Sequence, residues 1–217
     1  MLLLGFSGSL LQFVNSHSQL KDARLAFAIM DAYFDYIRTR NFVPDEGETH
    51  PEQAQWFINF CQKHGTYWEN VAEVGFNGGL SAVLTLAALP HVNVVSYDIG
   101  GHPWITKARD TVQNRFPNRH TLILGDSRVT LPATQPATYD MLFIDGGHEG
   151  DVPYFDLKHG VRLVKPGAWI IMDDYCPSFG PQVMEAWDAA VDEGLIEQVG
   201  PNHRNGSFGW VVGRATS

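Results

Sequence analysis

The chain has 217 residues, 44% hydrophobic and 12% aromatic, which is enough for one sizeable core and too little for two independent domains. Its formal net charge of -9 disfavours nucleic acid or an anionic membrane as partner, so a small molecule is the expected ligand. Two widely separated cysteines, Cys61 and Cys176, make neither a disulfide framework nor a CxxC metal site, which fits a cytoplasmic setting.

The opening "MLLLGFSGSLLQFV" is apolar, but no Lys or Arg precedes Lys21, and Gly5, Ser7, Gly8 and Ser9 interrupt it. It therefore lacks the pattern of an export signal or a membrane span. Over residues 16–40, Phe27, Met30, Phe34 and Ile37 recur at helical spacing, and Ser16 with Gln19 forms a capping box. After the acidic loop "VPDEGET", a second helix is predicted from Thr49, with Pro51 in its first turn, through Trp56, Phe57 and Phe60. Residues 1–69 would then be a helical cap and 70–217 the main body of a single domain. The aromatic helices of the cap suit an apolar substrate and a homo-oligomer interface equally well.

From Val71 short apolar runs alternate with helical stretches. Strands are predicted near 71–76, 92–98, 120–125, 139–145 and 168–173, and helices near 79–89, 103–116, 150–163 and 181–193. That alternation gives an α/β fold with a mostly parallel sheet covered on both faces. "KPGA" at 165–168 reads as a type II turn before the last parallel strand, and Asn205-Gly206 reads as the turn of a closing antiparallel hairpin.

In such sheets a ligand binds beyond the carboxyl ends of the strands, which directs attention to "VAEVGFNGGLS" at 71–81. A dinucleotide loop needs G-x-G-x-x-G, but after Gly75 the next two glycine places hold Asn77 and Leu80, and the Lys and Ser/Thr of a P-loop are missing. Glu73 would repel a diphosphate and attract an ammonium group. A nucleoside with a cationic tail suits these residues, and S-adenosylmethionine is such a molecule, approached by Glu73, Gly75, Asn77 and Gly79. The plainer alternative is an ordinary tight turn. Asp98 ends the second strand at the distance, about 20 residues on, where an acid grips ribose hydroxyls, or it caps the helix that follows. Asp126 and Ser127 either meet the adenine edge or cap a short helix.

Together "EVGFNGG", "SYDIG", "LGDS", "DMLFIDGGH" and "VKPGAWIIMDD", in this order, resemble the class I S-adenosylmethionine-dependent methyltransferases over residues 71–214. That resemblance implies a Rossmann-like seven-stranded sheet with a reversed C-terminal strand. The D-x-x-H of Asp145 and His148 and the pair Asp173 and Asp174 further resemble metal-dependent O-methyltransferases of the macrolide-sugar (mycinamicin and macrocin) type. By that resemblance Asp145, Asp173 and Asp174 would bind Mg2+, Asp145 would also border the cofactor, and His148 would be the base. Carboxylates at adjacent strand ends can converge on one hard cation that lowers the pKa of a hydroxyl, while an imidazole near its ordinary pKa can take the proton. Against these stand a helix-capping role for His148 and a solvated turn for the two acids.

The expected activity is thus methylation of a hydroxyl on a small metabolite. The alternatives are metal-free N- or C-methylation, a nicotinamide oxidoreductase and a non-catalytic module of the same fold. Trp104 as an adenine platform, Glu48 and Thr49 as a lid, and Cys176 as a small residue near the site are lesser expectations.

Overall fold

A computed structural model describes residues 35–39, 49–136, 138–178, 180–205 and 208–216. Residues 35–39 form a helical turn, and the rest of the helix predicted over 16–40 lies outside the described residues, as do Glu48 and the hairpin turn at 206–207. The elements that follow are helix α1 (Pro51–His64), a short 3-10 turn (Gly65–Tyr67), β1 (Asn70–Val74), α2 (Leu80–Ala88), β2 (Asn93–Asp98), α3 (Ile105–Arg115) and β3 (His120–Leu124). The second half runs α4 (Ser127–Ala133), β4 (Tyr139–Ile144), α5 (Val152–Val161), β5 (Val164–Met172), α6 (Pro181–Asp192), β6 (Ile196–Gln198), β7 (His203–Asn205) and β8 (Phe208–Ala215).

The strand order is β3-β2-β1-β4-β5-β8-β6, with β7 paired only to β8. The first five strands run parallel, and β8 returns antiparallel to β5. The chain leaves β1 toward β2 on one side and reaches β4 on the other, so the order reverses between β1 and β4. A crevice opens at such a switch point. The described residues hold eight strands where seven were expected, because the segment after α6 contributes both β6 and the β7–β8 hairpin.

Apolar positions explain how the layers close. In α3, Ile105, Ala108 and Val112 form a single buried stripe, and in α6 Val183, Ala186, Trp187 and Ala190 do the same. Helix α2 is apolar nearly all round because it is covered by α1 as well as by the sheet. One core joins the sheet to α1, α2, α3 and Tyr36, and the other lies on the opposite face beneath α5 and α6.

Two local expectations are corrected. Helix α1 starts at Pro51 with His50 as its cap, not at Thr49, since the residue before a proline is driven to extended backbone and His50 sits at φ -63°, ψ 140°. The "KPG" segment lies inside β5, not ahead of it. The pairing jumps from Tyr139↔Val164 to Met141↔Trp169, and Gly167 at φ +73° absorbs the extra residues as a bulge. Among the described residues no helix is long and apolar enough to cross a membrane.

Candidate active site

The glycine loop leaves β1 at the switch point and is held by acceptors on β2. Asp98 Oδ2 accepts from the N–H groups of Phe76 (2.9 Å) and Asn77 (3.0 Å), and its Oδ1 accepts from Gly100 N–H (2.7 Å). Asp98 therefore braces the loop. Asn77 adopts a left-handed φ of 42° in the second glycine place, and its Oδ1 accepts from Trp104 Nε1 (2.7 Å). Trp104 is buried and stacked on His102 with centroids 4.5 Å apart, so its contact with the loop is a hydrogen bond. Gly75, at φ +91°, lies so close to β4 that a Cβ would fall 1.8 Å from the carbonyl oxygen of Asp145. Only glycine lets the loop and the first acid of the cluster touch.

Beneath the loop is a buried polar chain. Glu73 is 1% exposed and accepts from Ser81 Oγ (2.8 Å) on α2 and Ser96 Oγ (2.6 Å) on β2, its direct partner in the sheet register. Ser96 Oγ also lies 2.8 Å from His120 Nε2 on β3. Because the serine hydrogen goes to Glu73, Nε2 carries the hydrogen of that contact. Nδ1 is then a buried acceptor without a hydrogen-bond partner among the described residues. Burial pushes Glu73 up to about 7 against the pull of both serines, and pushes His120 down to about 4. The His120 ring stacks on Phe76 of the loop at 5.0 Å.

The second half of the site stands at the ends of β4 and β5. Asp145, His148 and Asp174 offer ligand atoms that all lie within 4.8 Å of one another. His148 Nε2 is 2.6 Å from Asp174 Oδ2. Asp174 reaches this place through a left-handed backbone, φ 57°, and its carbonyl abuts Gly180, where a Cβ would fall 2.1 Å away. Asp173 adjoins the three and has both carboxylate oxygens engaged by other donors. Its Oδ2 accepts from Gln53 Nε2 (2.5 Å) on α1, and its Oδ1 accepts from the Asp174 N–H (2.8 Å). Burial, then the charges of Asp173, Asp174 and Glu73, hold Asp145 well above the usual carboxylate range. Asp173 rises to about 7 through burial and the Asp174 charge, although the Asp174 N–H and Gln53 oppose the shift.

Asp126 and Ser127 lie one strand farther out, joined to Asp98 by the Gly125 N–H, which donates to the Asp98 carbonyl (2.9 Å). Asp126 caps α4, accepting from the Arg128 N–H (2.9 Å) and pairing with its guanidinium (2.8 Å), while Ser127 is the first residue of that helix. Gly79, at φ 75°, starts α2. Cys176 is buried two residues beyond Asp174, and its backbone N–H donates to the Asp174 carbonyl (2.7 Å). Sequence reasoning passed over Gln53, Ser81, Ser96 and His120. Ser81 had a usable signal, a hydroxyl in the first turn after the glycine loop. The others are brought in by packing alone.

A reversed strand beside five parallel ones, with a glycine loop at the switch point, is the fold of the class I methyltransferases. Residues 72–175 match the family described as a methyltransferase domain. A protein of Mycobacterium sp. (strain JLS), provisionally named an O-methyltransferase, is 33% identical over 104 residues, which cover 47% of this chain and 46% of that protein. The O-methyltransferase imqG of Aspergillus flavus is 25% identical over 131 residues, covering 57% of this chain and 51% of that one. The matched region thus spans about half the length of these curated relatives. Among solved structures, the Podospora anserina methyltransferase PaMTH1, bound to S-adenosylhomocysteine (SAH), superposes with a TM-score of 0.68 at 16% identity, covering 97% of this chain and 95% of that one. The Bacillus cereus O-methyltransferase in complex with SAH gives 0.67 at 15% identity, over 94% and 96% of the two chains. At that identity the likeness is one of fold.

Proposed function

We propose that this chain transfers a methyl group from S-adenosylmethionine to a hydroxyl of a small metabolite, with a divalent cation, magnesium by its chemistry, at the acid cluster. The observation that carries the reading is the meeting of Asp145, His148 and Asp174 at one point of the sheet edge, directly against the glycine loop at Gly75. The donor set fits such an ion. Carboxylate oxygens suit hard cations, and acids that raise one another's pKa gain most from a positive charge among them. Asp145 and Asp174 would hold it, with Asp173 braced behind them by Gln53.

When bound, the cofactor supplies a methyl group on a sulfonium, and the cation supplies positive charge that favours the deprotonated hydroxyl. This chain's own residues do the remainder. Gly75, Asn77 and Gly79 form the cradle with Glu73 buried beneath it, Asp98 serves the ribose, and Asp126 with Ser127 serve the adenine end. His148 takes the hydroxyl proton on Nδ1 while Nε2–H donates to Asp174 Oδ2, so the imidazolium formed stays paired with that acid. Asp145, with its backbone carbonyl against Gly75 and its carboxylate in the cluster, keeps acceptor and cofactor at one place.

A metal-free variant of the mechanism draws on one observation. The 2.6 Å contact of His148 with Asp174 is already a base with its orienting acid, while Asp173 is engaged elsewhere. Calorimetric titration with SAH, followed by methyl-transfer assays on hydroxylated acceptors with magnesium and with chelator, tests both. Binding of SAH with activity lost in chelator is the expected result. Activity that persists in chelator selects the metal-free variant, and absence of SAH binding by the folded protein overturns the reading.

A further inference from the structure

The helical turn 35–39 belongs to none of the motifs of the methyltransferase core, yet it reaches the glycine loop. Tyr36 is fully buried, and its hydroxyl donates a 2.6 Å hydrogen bond to the carbonyl of Gly78, 42 residues along the chain. The N–H of the same peptide unit, that of Gly79, donates to the Phe76 carbonyl at 2.7 Å. Both polar groups of the peptide joining Gly78 to Gly79 are therefore fixed, one from within the loop and one from outside it. The outside contact comes from Tyr36. This peptide is where the loop turns into α2, and Gly79 takes its left-handed φ of 75° there. Beside Tyr36, Asp35 makes a partly exposed ion pair with Arg115 at the end of α3 (2.7 Å), a contact that does not involve the glycine loop.

We infer that Tyr36 is a positioning residue of the cofactor site: its hydroxyl fixes the Gly78–Gly79 peptide, and through it the N-terminal segment sets the affinity for S-adenosylmethionine. The inference rests on the reading of the glycine loop as the cofactor cradle. Without the phenol, a buried carbonyl loses its donor, and the peptide gains orientations that the bound cofactor must then select against. Nothing in this role touches the reacting atoms, so the cost falls on binding and spares the chemical step.

The test compares Tyr36→Phe, which keeps the ring and removes the hydroxyl, with Asp35→Asn, which weakens the partly exposed ion pair of the same turn without touching the carbonyl. For Tyr36→Phe the SAH Kd and the KM for S-adenosylmethionine are expected to rise about 5- to 20-fold, with kcat at saturating cofactor within about two-fold of wild type. The rise in melting temperature that SAH induces should shrink accordingly. Para-aminophenylalanine at position 36, which restores a donor, should recover the affinity, and Asp35→Asn should leave it unchanged. Wild-type affinity in Tyr36→Phe overturns the inference. So does equal weakening in Asp35→Asn, which would assign the effect to docking of the turn as a whole. Failure of the wild-type protein to bind SAH is a different result, because it overturns the cofactor reading itself and this inference with it.

Discussion

At the ends of β1 and β2 the acids are answered by the protein's own donors. Asp98 accepts three backbone N–H groups, and Glu73 accepts two serine hydroxyls. At the ends of β4 and β5, Asp145, Asp173 and Asp174 crowd together, with the His148 imidazole, the Gln53 amide and the Asp174 N–H as donors to the three carboxyl groups. The first half is therefore shaped by folding alone. In the second half the raised pKa values of Asp145 and Asp173 are an electrostatic strain that a cation would relieve. In the proposed reaction a methyl donor needs a rigid cradle and an acceptor hydroxyl a place where charge can change, and the two strand pairs differ in that respect.

The sharpest way to break the contrast is at the seam. Gly75→Ala drives a Cβ into the Asp145 carbonyl at 1.8 Å and demands a left-handed alanine, so a loss of about 4 kcal/mol in unfolding free energy is expected. Chemical denaturation measures it, with Gly150→Ala, which meets nothing within 4 Å, as the comparison for the backbone term alone. A variant as stable as Gly150→Ala would mean the halves are not in contact.

His148→Ala acts on the acid half only. Turnover should fall about 100- to 10,000-fold while SAH affinity, read by calorimetry, stays at the wild-type value. A folded variant that loses SAH affinity instead would remove His148 from the role of base.

Glu73→Gln probes the cofactor half through pH. Glu73 titrates at about 7 when folded against 4.5 as the reference value, so its burial costs nothing below pH 4.5 and destabilises progressively up to pH 7. Relative to wild type, the glutamine variant should gain on the order of 3 kcal/mol between those limits. Melting curves at pH 4.5 and 8 give the difference, and a difference that does not change with pH would mean Glu73 is not buried as an acid.

Trp104→Phe is the mildest of the four. Losing the 2.7 Å bond to Asn77 should weaken SAH binding about five-fold with little change in melting temperature. Unchanged affinity would show that the loop needs no support from α3.

Much of this contrast is legible in the sequence because it is local. The apolar runs give the parallel strands, and the acids at or just after the ends of β2, β3, β4 and β5 (Asp98, Asp126, Asp145, Asp173) mark the sheet edge. The glycines of "EVGFNGG" announce the close approach to β4. What escapes is long-range. Gln53 meets Asp173 across 120 residues and Tyr36 meets Gly78 across 42, and neither residue stands in a pattern that distinguishes it from its helical neighbours. Asp98 shows another limit. Its position at a strand end is readable, but its three backbone hydrogen bonds depend on how the loop folds back over β2. The β5 bulge was hidden for a related reason, since a Pro-Gly pair signals a turn whether the turn precedes a strand or interrupts it.

The central claim is that the acid cluster is a cation site built against the cofactor cradle, and a calorimetric titration of the SAH-loaded protein with magnesium tests it most directly. Asp174→Asn is the informative partner variant, because asparagine tolerates the left-handed backbone at φ 57° and so removes charge without disturbing the turn. The account expects one magnesium site in the wild-type protein, weakened at least about ten-fold in Asp174→Asn and in Asp145→Asn with SAH affinity intact. Magnesium binding that ignores both substitutions, or none by a wild-type protein that holds SAH, would contradict it.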